Sequence, residues 1–247
     1  MKIATTTILI MLLAVLLSFK TTTMSEGQPV YKVKKLNGLM KINADWNKLQ
    51  WKYIEAIDLS NSMGEVPAFR PVVKVKMMYS NENIYVIFKV EDRFIRCVTK
   101  DVNGPVCEDS AVEFFFSPDE GAPEKYFNFE TNCGGTPLMF YNIVPRKDFK
   151  ILDPADIHQI EIAHSLPQII NPEIERSVTW TIEYRIPLRL LKKYANVTQP
   201  KPGSTWKANF YKCADKTSNP HYLTWAHINN DKPDFHLPQF FGDLKFE

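Results

Sequence analysis

Two glutamates in one predicted β-hairpin have the residue type and spacing to do chemistry. Between Cys107 and Gly135 the chain has two apolar runs; Glu113 interrupts the first and Glu130 lies in the second. Charged residues are seldom buried without a partner, so Glu113 needs either a basic residue across the sheet or a ligand. Two such carboxyl groups, if about 5 to 10 Å apart, could also hydrolyse a glycosidic bond. We favour non-catalytic binding of hydroxyl groups, because a domain of this size has few structural elements that could surround a deep catalytic cleft.

The hairpin places these glutamates among rings and an amide. A turn sequence, S-P-D-E-G-A-P (117–123), separates the two runs, and we predict that Glu113 lies opposite Asn128. Alternation then puts Glu113, Phe115, Tyr126, Asn128 and Glu130 on one face, and Phe114, Phe116, Phe127 and Phe129 on the other. Sugars are bound by aromatic rings that stack on their C–H faces and by carboxylates and amides that bond their hydroxyls. The first face therefore predicts a sugar site and the second a core.

The same hairpin predicts a disulfide. In the register above, Cys107 faces residue 134, and one extra residue between 108 and 111 would bring it opposite Cys133. Disulfides are plausible in an exported chain with four cysteines. The alternative is that both are buried free thiols. We interpret Cys97 and Cys213 as core residues.

The elements that must position these residues are β-strands. Short runs with period-two alternation are separated by Pro, Asn, Asp and Gly. We predict strands at 72–77, 84–90, 110–117, 126–131, 157–163, 178–186, 206–213 and 240–246, and short helices at 44–51 and 187–194. Many strands and few helices predict an all-β, antiparallel, jelly-roll-like sandwich, and we expect residues 30–247 to form one domain.

The first 25 residues are typical of a secretory signal peptide. Lys2 precedes an unbroken apolar run from Ile8 to Leu17, and small polar residues follow. We predict cleavage after Ser25. The run is shorter than the about 20 residues that a membrane-spanning helix needs, so we expect no membrane span and a secreted or periplasmic protein.

Charge balance excludes two classes of partner. The chain has 30 basic and 28 acidic residues, and removal of residues 1–25 takes away Lys2 and Lys20 but no acid. The remaining chain has no net charge. Nucleic acids and anionic lipids attract proteins through a basic excess, so we predict neither as a partner.

Several segments in order resemble the family 9 carbohydrate-binding modules. The resemblance extends from about Lys35 to Glu247 and rests on N-I-Y-V-I-F-K-V-E-D (83–92), D-S-A-V-E-F-F (109–115), Y-F-N-F-E-T-N (126–132), W-K-A-N-F-Y-K (206–212), L-T-W (223–225) and P-D-F-H-L-P-Q-F-F-G-D-L-K-F (233–246). It implies a β-sandwich that clamps a terminal sugar between two aromatic rings.

The resemblance also implies roles for individual residues. The family's sugar-binding glutamate matches Glu113, its polar contacts match Asn128 and Tyr211, and one clamp ring matches Phe235. The second ring is expected just before Asp109, where this chain has Val106 and Cys107 instead of Trp. The further sugar-binding candidates are Glu130, Trp225 and His236, and Trp225 is equally compatible with a core position.

The resemblance raises two questions about cofactors. Calcium often accompanies the family, and Glu91, Asp92 and Asp109 are candidate ligands by type. Related sandwiches bind haem, for which Met77, Met78 or a histidine would be axial ligands. The histidines at 221, 227 and 236 match no H-x-x-x-H spacing, so we interpret them as loop residues near a ligand site.

These observations predict non-catalytic binding of an oligo- or polysaccharide outside the cytoplasm, in support of its breakdown by glycoside hydrolases. Two alternatives stay open. One is a glycoside hydrolase that acts through Glu113 and Glu130, and the other is a haem-binding redox module.

Overall fold

The computed structural model describes residues 27–247. The predicted signal peptide lies outside the described residues. No helix in residues 27–247 combines the length and the hydropathy required to cross a membrane.

Strands dominate the described chain, as the alternation predicts. The helices are α1 (Leu49–Lys52), α2 (Pro154–Ile157) and α3 (Leu188–Lys192), and 3-10 turns occur at Val106–Glu108 and Pro238–Phe240. The strands are β1 (Val30–Lys35), β2 (Ile57–Asp58), β3 (Asn61–Ser62), β4 (Val72–Tyr79), β5 (Asn83–Asp92), β6 (Ile95–Cys97), β7 (Ala111–Ser117), β8 (Tyr126–Asn132), β9 (Pro137–Val144), β10 (Asp148–Ile151), β11 (Glu161–His164), β12 (Ile170–Ile174), β13 (Val178–Pro187), β14 (Thr205–Cys213), β15 (Tyr222–Thr224) and β16 (Gly242–Phe246).

The strands form two layers that β1 joins. One layer has the order β10-β9-β8-β7-β14-β16 and the other β4-β5-β13-β11. The first part of β1 pairs in parallel with β16, and its last two residues pair in parallel with β4. Most other pairs are antiparallel, so the predicted all-β sandwich is confirmed.

Aromatic side chains fill the space between the layers. Phe114, Phe116, Phe127 and Phe129 are fully buried, which confirms that this face of the hairpin is core. The ring of Phe114 stacks on Phe116 and on Phe210 of β14, with centroids 4.4 and 4.8 Å away. Since full burial of one such side chain stabilises the fold by about 1.5–3 kcal/mol, this cluster fixes the position of the hairpin.

The register of the hairpin differs from the predicted one by two residues. Glu113 pairs with Glu130, and Phe115 pairs with Asn128. A shift of two residues leaves every side chain on the same face. The predicted faces are therefore correct although the predicted pairing of Glu113 with Asn128 is wrong.

The predicted strand at 157–163 starts too early, because residue 157 ends helix α2 and residues 158–160 form a turn. Asp153 begins α2 by accepting a hydrogen bond from the backbone N–H of Ala155 at 2.8 Å, and Pro154 occupies the first helical position, where its missing N–H is not needed. The strand β11 starts only at Glu161.

The predicted Cys107–Cys133 disulfide is absent, because all four cysteines are free. The chain forms a 3-10 turn at Val106–Glu108, and β7 begins at Ala111, so Cys107 does not extend the strand toward Cys133 through a bulge. The thiol of Cys133 instead donates to the Arg96 carbonyl oxygen at 3.9 Å, and the thiol of Cys97 donates to the Gln168 carbonyl oxygen at 3.1 Å.

Candidate functional site

A pocket of about 270 Å³ lies on the face of β7, β8 and β14 that points away from the main core. The C-terminal segment that precedes β16 and the turn that follows β9 cover this face. Acidic, aromatic and thiol side chains line most of the pocket: Cys107, Glu113, Phe115, Glu130, Arg146, Cys213, Asp215, Tyr222, Pro233, Asp234, Phe235 and His236.

The pocket brings together four of the seven predicted sugar-binding residues, namely Glu113, Glu130, Phe235 and His236. Asn128 and Tyr211 lie directly behind these residues and are almost fully buried. Trp225 lies elsewhere. Its ring packs in the main core against Phe210, with centroids 5.8 Å apart.

Glu113 and Glu130 are neighbours across the β7–β8 pair, and only 3% and 7% of their surfaces are exposed. Burial, followed by repulsion from Glu130, raises the pKa of Glu113 well above its usual value. Burial also raises the pKa of Glu130, to about 7. No Lys, Arg or His in residues 27–247 lies within ion-pair distance of either carboxyl, so the cross-sheet basic partner considered for Glu113 is absent from the described chain. Burial thus favours the protonated form of both carboxyls.

Asn128 positions Glu130 and does not reach the pocket. Its amide donates a hydrogen bond to Glu130 Oε1 at 2.8 Å. Its own oxygen accepts one from the Asn142 amide at 2.6 Å. Both asparagines are buried, so this chain of hydrogen bonds fixes one oxygen of Glu130 and leaves the other for the pocket.

Tyr211 positions the aromatic wall. Its ring is parallel to that of Phe235, with centroids 4.1 Å apart, and its hydroxyl donates to the Phe235 carbonyl oxygen at 3.1 Å. Phe235 is 8% exposed, so only a small part of its ring faces the pocket. Tyr222 meets the same ring edge-on, at 6.1 Å. At the place of the family's missing Trp, the pocket is lined by Cys107.

His236 is held as a neutral imidazole at the pocket wall. Its Nδ1 and the Tyr126 hydroxyl are joined by a hydrogen bond of 2.7 Å, and its ring contacts that of Phe115 at 5.0 Å. Burial lowers the pKa of His236 to about 4. His236 can therefore exchange hydrogen bonds with a ligand without adding charge at neutral pH.

Four polar lining residues were missed from the sequence. Arg146 has a positive φ of 58° in the turn between β9 and β10, and its guanidinium pairs with Asp234 at 2.6 Å. Asp215 follows β14, and Tyr222 begins β15. Asp234 was the residue most open to prediction, because it directly precedes Phe235 in the P-D-F-H motif.

The candidate calcium ligands do not meet at one point. Asp92 pairs with the buried Lys212 at 3.1 Å. Asp109 accepts hydrogen bonds from Arg96, Asn132 and the backbone N–H groups of residues 98 and 99. Glu91 is exposed. Within residues 27–247 no group of three or more His, Cys, Asp or Glu side chains is placed to hold a metal ion.

Three of the candidate haem ligands, Met77, Met78 and His221, are engaged in other contacts. Met77 is fully buried in the core between the layers, and Met78 packs into a separate cluster on the opposite face of β4. His221 lies 2.7 Å from the ammonium of Lys212 through Nε2, and burial lowers the pKa of His221 to about 2. These residues do not form an open cleft for a haem.

Comparison with known proteins supports the resemblance seen in the sequence. No protein of curated function matches the chain. A solved structure of a proposed carbohydrate-binding protein from Bacteroides uniformis ATCC 8492 is 29% identical, with a TM-score of 0.80, over 89% of this chain and 100% of that one.

Two more distant structures share the fold. A family 9 carbohydrate-binding module from Caldicellulosiruptor kristjanssonii in complex with cellotriose is 13% identical, with a TM-score of 0.61, over 89% of this chain and 94% of that one. A family 9 module from the same organism in complex with glucose is 14% identical, with a TM-score of 0.56, over 89% and 96% of the two chains. The sequence model of carbohydrate-binding family 9 matches residues 39–246, and the chain therefore belongs to that family.

Proposed function

We propose that the protein binds an oligo- or polysaccharide in the pocket of Glu113, outside the cytoplasm, and that this binding supports breakdown of the glycan by glycoside hydrolases. The proposal rests on the lining of one pocket. Buried Glu113 and Glu130 line it together with the rings of Phe235 and Tyr222. Sugars have hydroxyl groups for the carboxyls and C–H faces for the rings.

The size of the pocket suits a short part of a glycan. Its volume of about 270 Å³ lies near the lower end of the about 300–1,000 Å³ typical of small-molecule sites. A space of this size suits about one or two sugar units. We therefore expect the protein to hold a terminal or exposed unit of a longer chain.

The N-terminal sequence supports a site of action outside the cytoplasm. A signal peptide exports the mature chain to the compartment in which large polysaccharides are met. Fractionation of cells that produce the full-length chain tests this part. We expect the mature protein, shortened by about 25 residues, in the extracytoplasmic fraction, and full-length protein in the cytoplasm would contradict it.

Titration calorimetry against a panel of oligosaccharides tests the binding. We expect at least one glycan to bind the wild type, and Glu113→Ala to weaken that binding about 10- to 100-fold, because a buried polar group of the ligand that loses its hydrogen-bond partner costs about 1–3 kcal/mol. Glu175→Ala, at an exposed position, is the matched control and should bind as the wild type does. Equal binding by both variants would place the site elsewhere.

A glycoside hydrolase is the second candidate, because two buried carboxyls with raised pKa values share the pocket. Hydrolysis requires one protonated and one ionised carboxyl, and the burial that raises both pKa values favours retention of a proton on such a pair. Release of reducing ends from a polysaccharide by the wild type, abolished in Glu113→Gln, would establish this activity. Binding without product release would assign the site to binding alone.

A further inference from the structure

The pocket has many more acidic than basic side chains. Its lining holds four carboxyls, on Glu113, Glu130, Asp215 and Asp234, and one guanidinium, on Arg146. That guanidinium already pairs with Asp234. Another cation, Lys212, lies on the opposite face of β14 and pairs with Asp92. Three carboxyls therefore face the pocket without a basic partner in the described chain.

Several oxygens of these carboxyls also have no hydrogen-bond donor. Glu113 is only 3% exposed. The hydrogen bond that it accepts in the described chain comes from the thiol of Cys213, a weak donor, which lies 3.0 Å from Oε1. Asp215 Oδ1 is buried and accepts none. Buried acceptors without donors are costly, so these oxygens point to a ligand that supplies donors.

A cation satisfies this arrangement better than a neutral hydroxyl does. An ammonium group donates three hydrogen bonds and compensates negative charge at the same time. A hydroxyl donates one hydrogen bond and leaves the charge uncompensated. The rings of Tyr222 and Phe235 at the wall also favour a cation, because aromatic faces attract positive charge. A uronic acid, in contrast, would bring a further acidic group into a pocket that already holds three carboxyls without a basic partner.

We propose that the pocket selects amino sugars, in which an ammonium replaces one hydroxyl, over neutral sugars, N-acetylated sugars and uronic acids. The proposal rests on the proposed carbohydrate-binding function and names the class of sugar that the same pocket takes. The ammonium lies among Glu113, Glu130 and Asp215, and the sugar ring contacts Phe235.

Titration calorimetry on the purified full chain tests the selection. The probes are matched sets of one neutral sugar, its amine, its N-acetylated amine and its uronic acid, in the gluco, galacto and manno configurations at neutral pH. In at least one set we expect the amine to bind ten times more tightly than the neutral sugar or more, which corresponds to about 1.4 kcal/mol. Added salt should reduce this preference, because ions screen the attraction.

Two substitutions locate the preference. Asp215→Asn should reduce the ratio of amine to neutral-sugar affinity several-fold. Glu130→Gln, which keeps the acceptor for the Asn128 amide, should act in the same direction and serves if the first variant fails to fold. Glu175→Gln at an exposed site should keep the ratio of the wild type.

The outcomes separate this inference from the function on which it rests. Neutral sugars that bind as tightly as their amines would overturn the selection and leave carbohydrate binding intact. Tighter binding of a uronic acid would also overturn it. Binding of no probe and of no glycan in the wider panel would overturn both proposals.

Discussion

Replacing Glu130 by glutamine should make the fold more stable above neutral pH. Glu130 is buried on β8, and its pKa is raised from 4.5 to about 7, chiefly by burial. A carboxyl whose pKa is higher in the folded than in the unfolded chain binds more protons when folded. Its stabilising contribution is therefore complete below about pH 4.5 and is lost as the pH rises through about 7.

The size of the effect follows from the shift. Each pKa unit corresponds to about 1.4 kcal/mol, so the change from 4.5 to about 7 means that ionised Glu130 lowers the free energy of unfolding by about 3 kcal/mol at pH 8. Glutamine has no charge to bury and still accepts the hydrogen bond from Asn128. For a chain of this length, about 3 kcal/mol corresponds to a rise in Tm of roughly 6–12 °C at pH 8.

Urea unfolding followed by tryptophan fluorescence measures the difference in the free energy of unfolding, because Trp51, Trp180 and Trp206 are buried in the folded chain.

Two histidines give the free energy of unfolding the opposite dependence on pH. The pKa values of His221 and His236 are lowered, to about 2 and about 4, so their contribution is present above about pH 6.5 and is lost on acidification. The histidines affect the wild type and the variant alike. The difference between the two free energies of unfolding therefore isolates the carboxyl pair.

We expect this difference to be near zero at pH 4 and to grow in favour of Glu130→Gln up to pH 8. Glu175→Gln, which removes a carboxyl from an exposed position, should show no such growth. A difference that stays within about 0.5 kcal/mol from pH 4 to pH 8 would be no larger than the effect of an ordinary surface substitution. Such a result would refute the idea that burial of the ionised Glu130 carboxylate destabilises the fold.

Three further predictions concern the residues around the pocket. Lys212→Met should lower the free energy of unfolding by about 3–5 kcal/mol, because it leaves Asp92 buried without its partner, and Asp92→Leu in the same chain should recover most of the loss in urea unfolding. Tyr211→Phe, which removes the hydrogen bond to the Phe235 carbonyl, should cost about 1 kcal/mol of stability and weaken glycan binding several-fold, whereas Tyr53→Phe at an exposed site should change neither. Alkylation of the unfolded, unreduced protein followed by mass spectrometry should find all four cysteines modified, and a cystine-linked peptide would contradict this.

Alternation in the sequence was sufficient to predict the sandwich and the faces of its central hairpin. The period of two places Phe114 and Phe116 in the core and Glu113 opposite to them, whatever the partner strand. The register could not be obtained in this way, because pairing Glu113 with Asn128 or with Glu130 buries the same phenylalanines. The turn between the strands decides between the two registers, and several turn conformations are compatible with its sequence.

Residues of the candidate site could be predicted where their type is unexpected in the surrounding sequence. They could not be predicted where their type is ordinary for that kind of segment. Glu113 and Glu130 stand out because carboxyls are unexpected in apolar strands. Asp215 and Arg146 lie in turns, where polar residues are ordinary, and their approach to Glu113 depends on long-range packing of β9 and β14. The disulfide prediction was wrong for a related reason, since the 3-10 turn at Val106–Glu108 follows from packing and not from the spacing of cysteines.

The composition of the pocket changes which interactions can hold a sugar. A clamp of two rings, as the family resemblance implies, binds mainly through stacking and tolerates a neutral ligand. Here one wall presents a small part of Phe235, and the place expected for the second ring is lined by Cys107. The aromatic area available for stacking is thus smaller than in a clamp of two rings. The pocket has carboxyl oxygens without hydrogen-bond donors instead, on Glu113, Glu130 and Asp215. For the glycan binding that we propose, the number and charge of the donors that the ligand brings then become the main determinants of specificity.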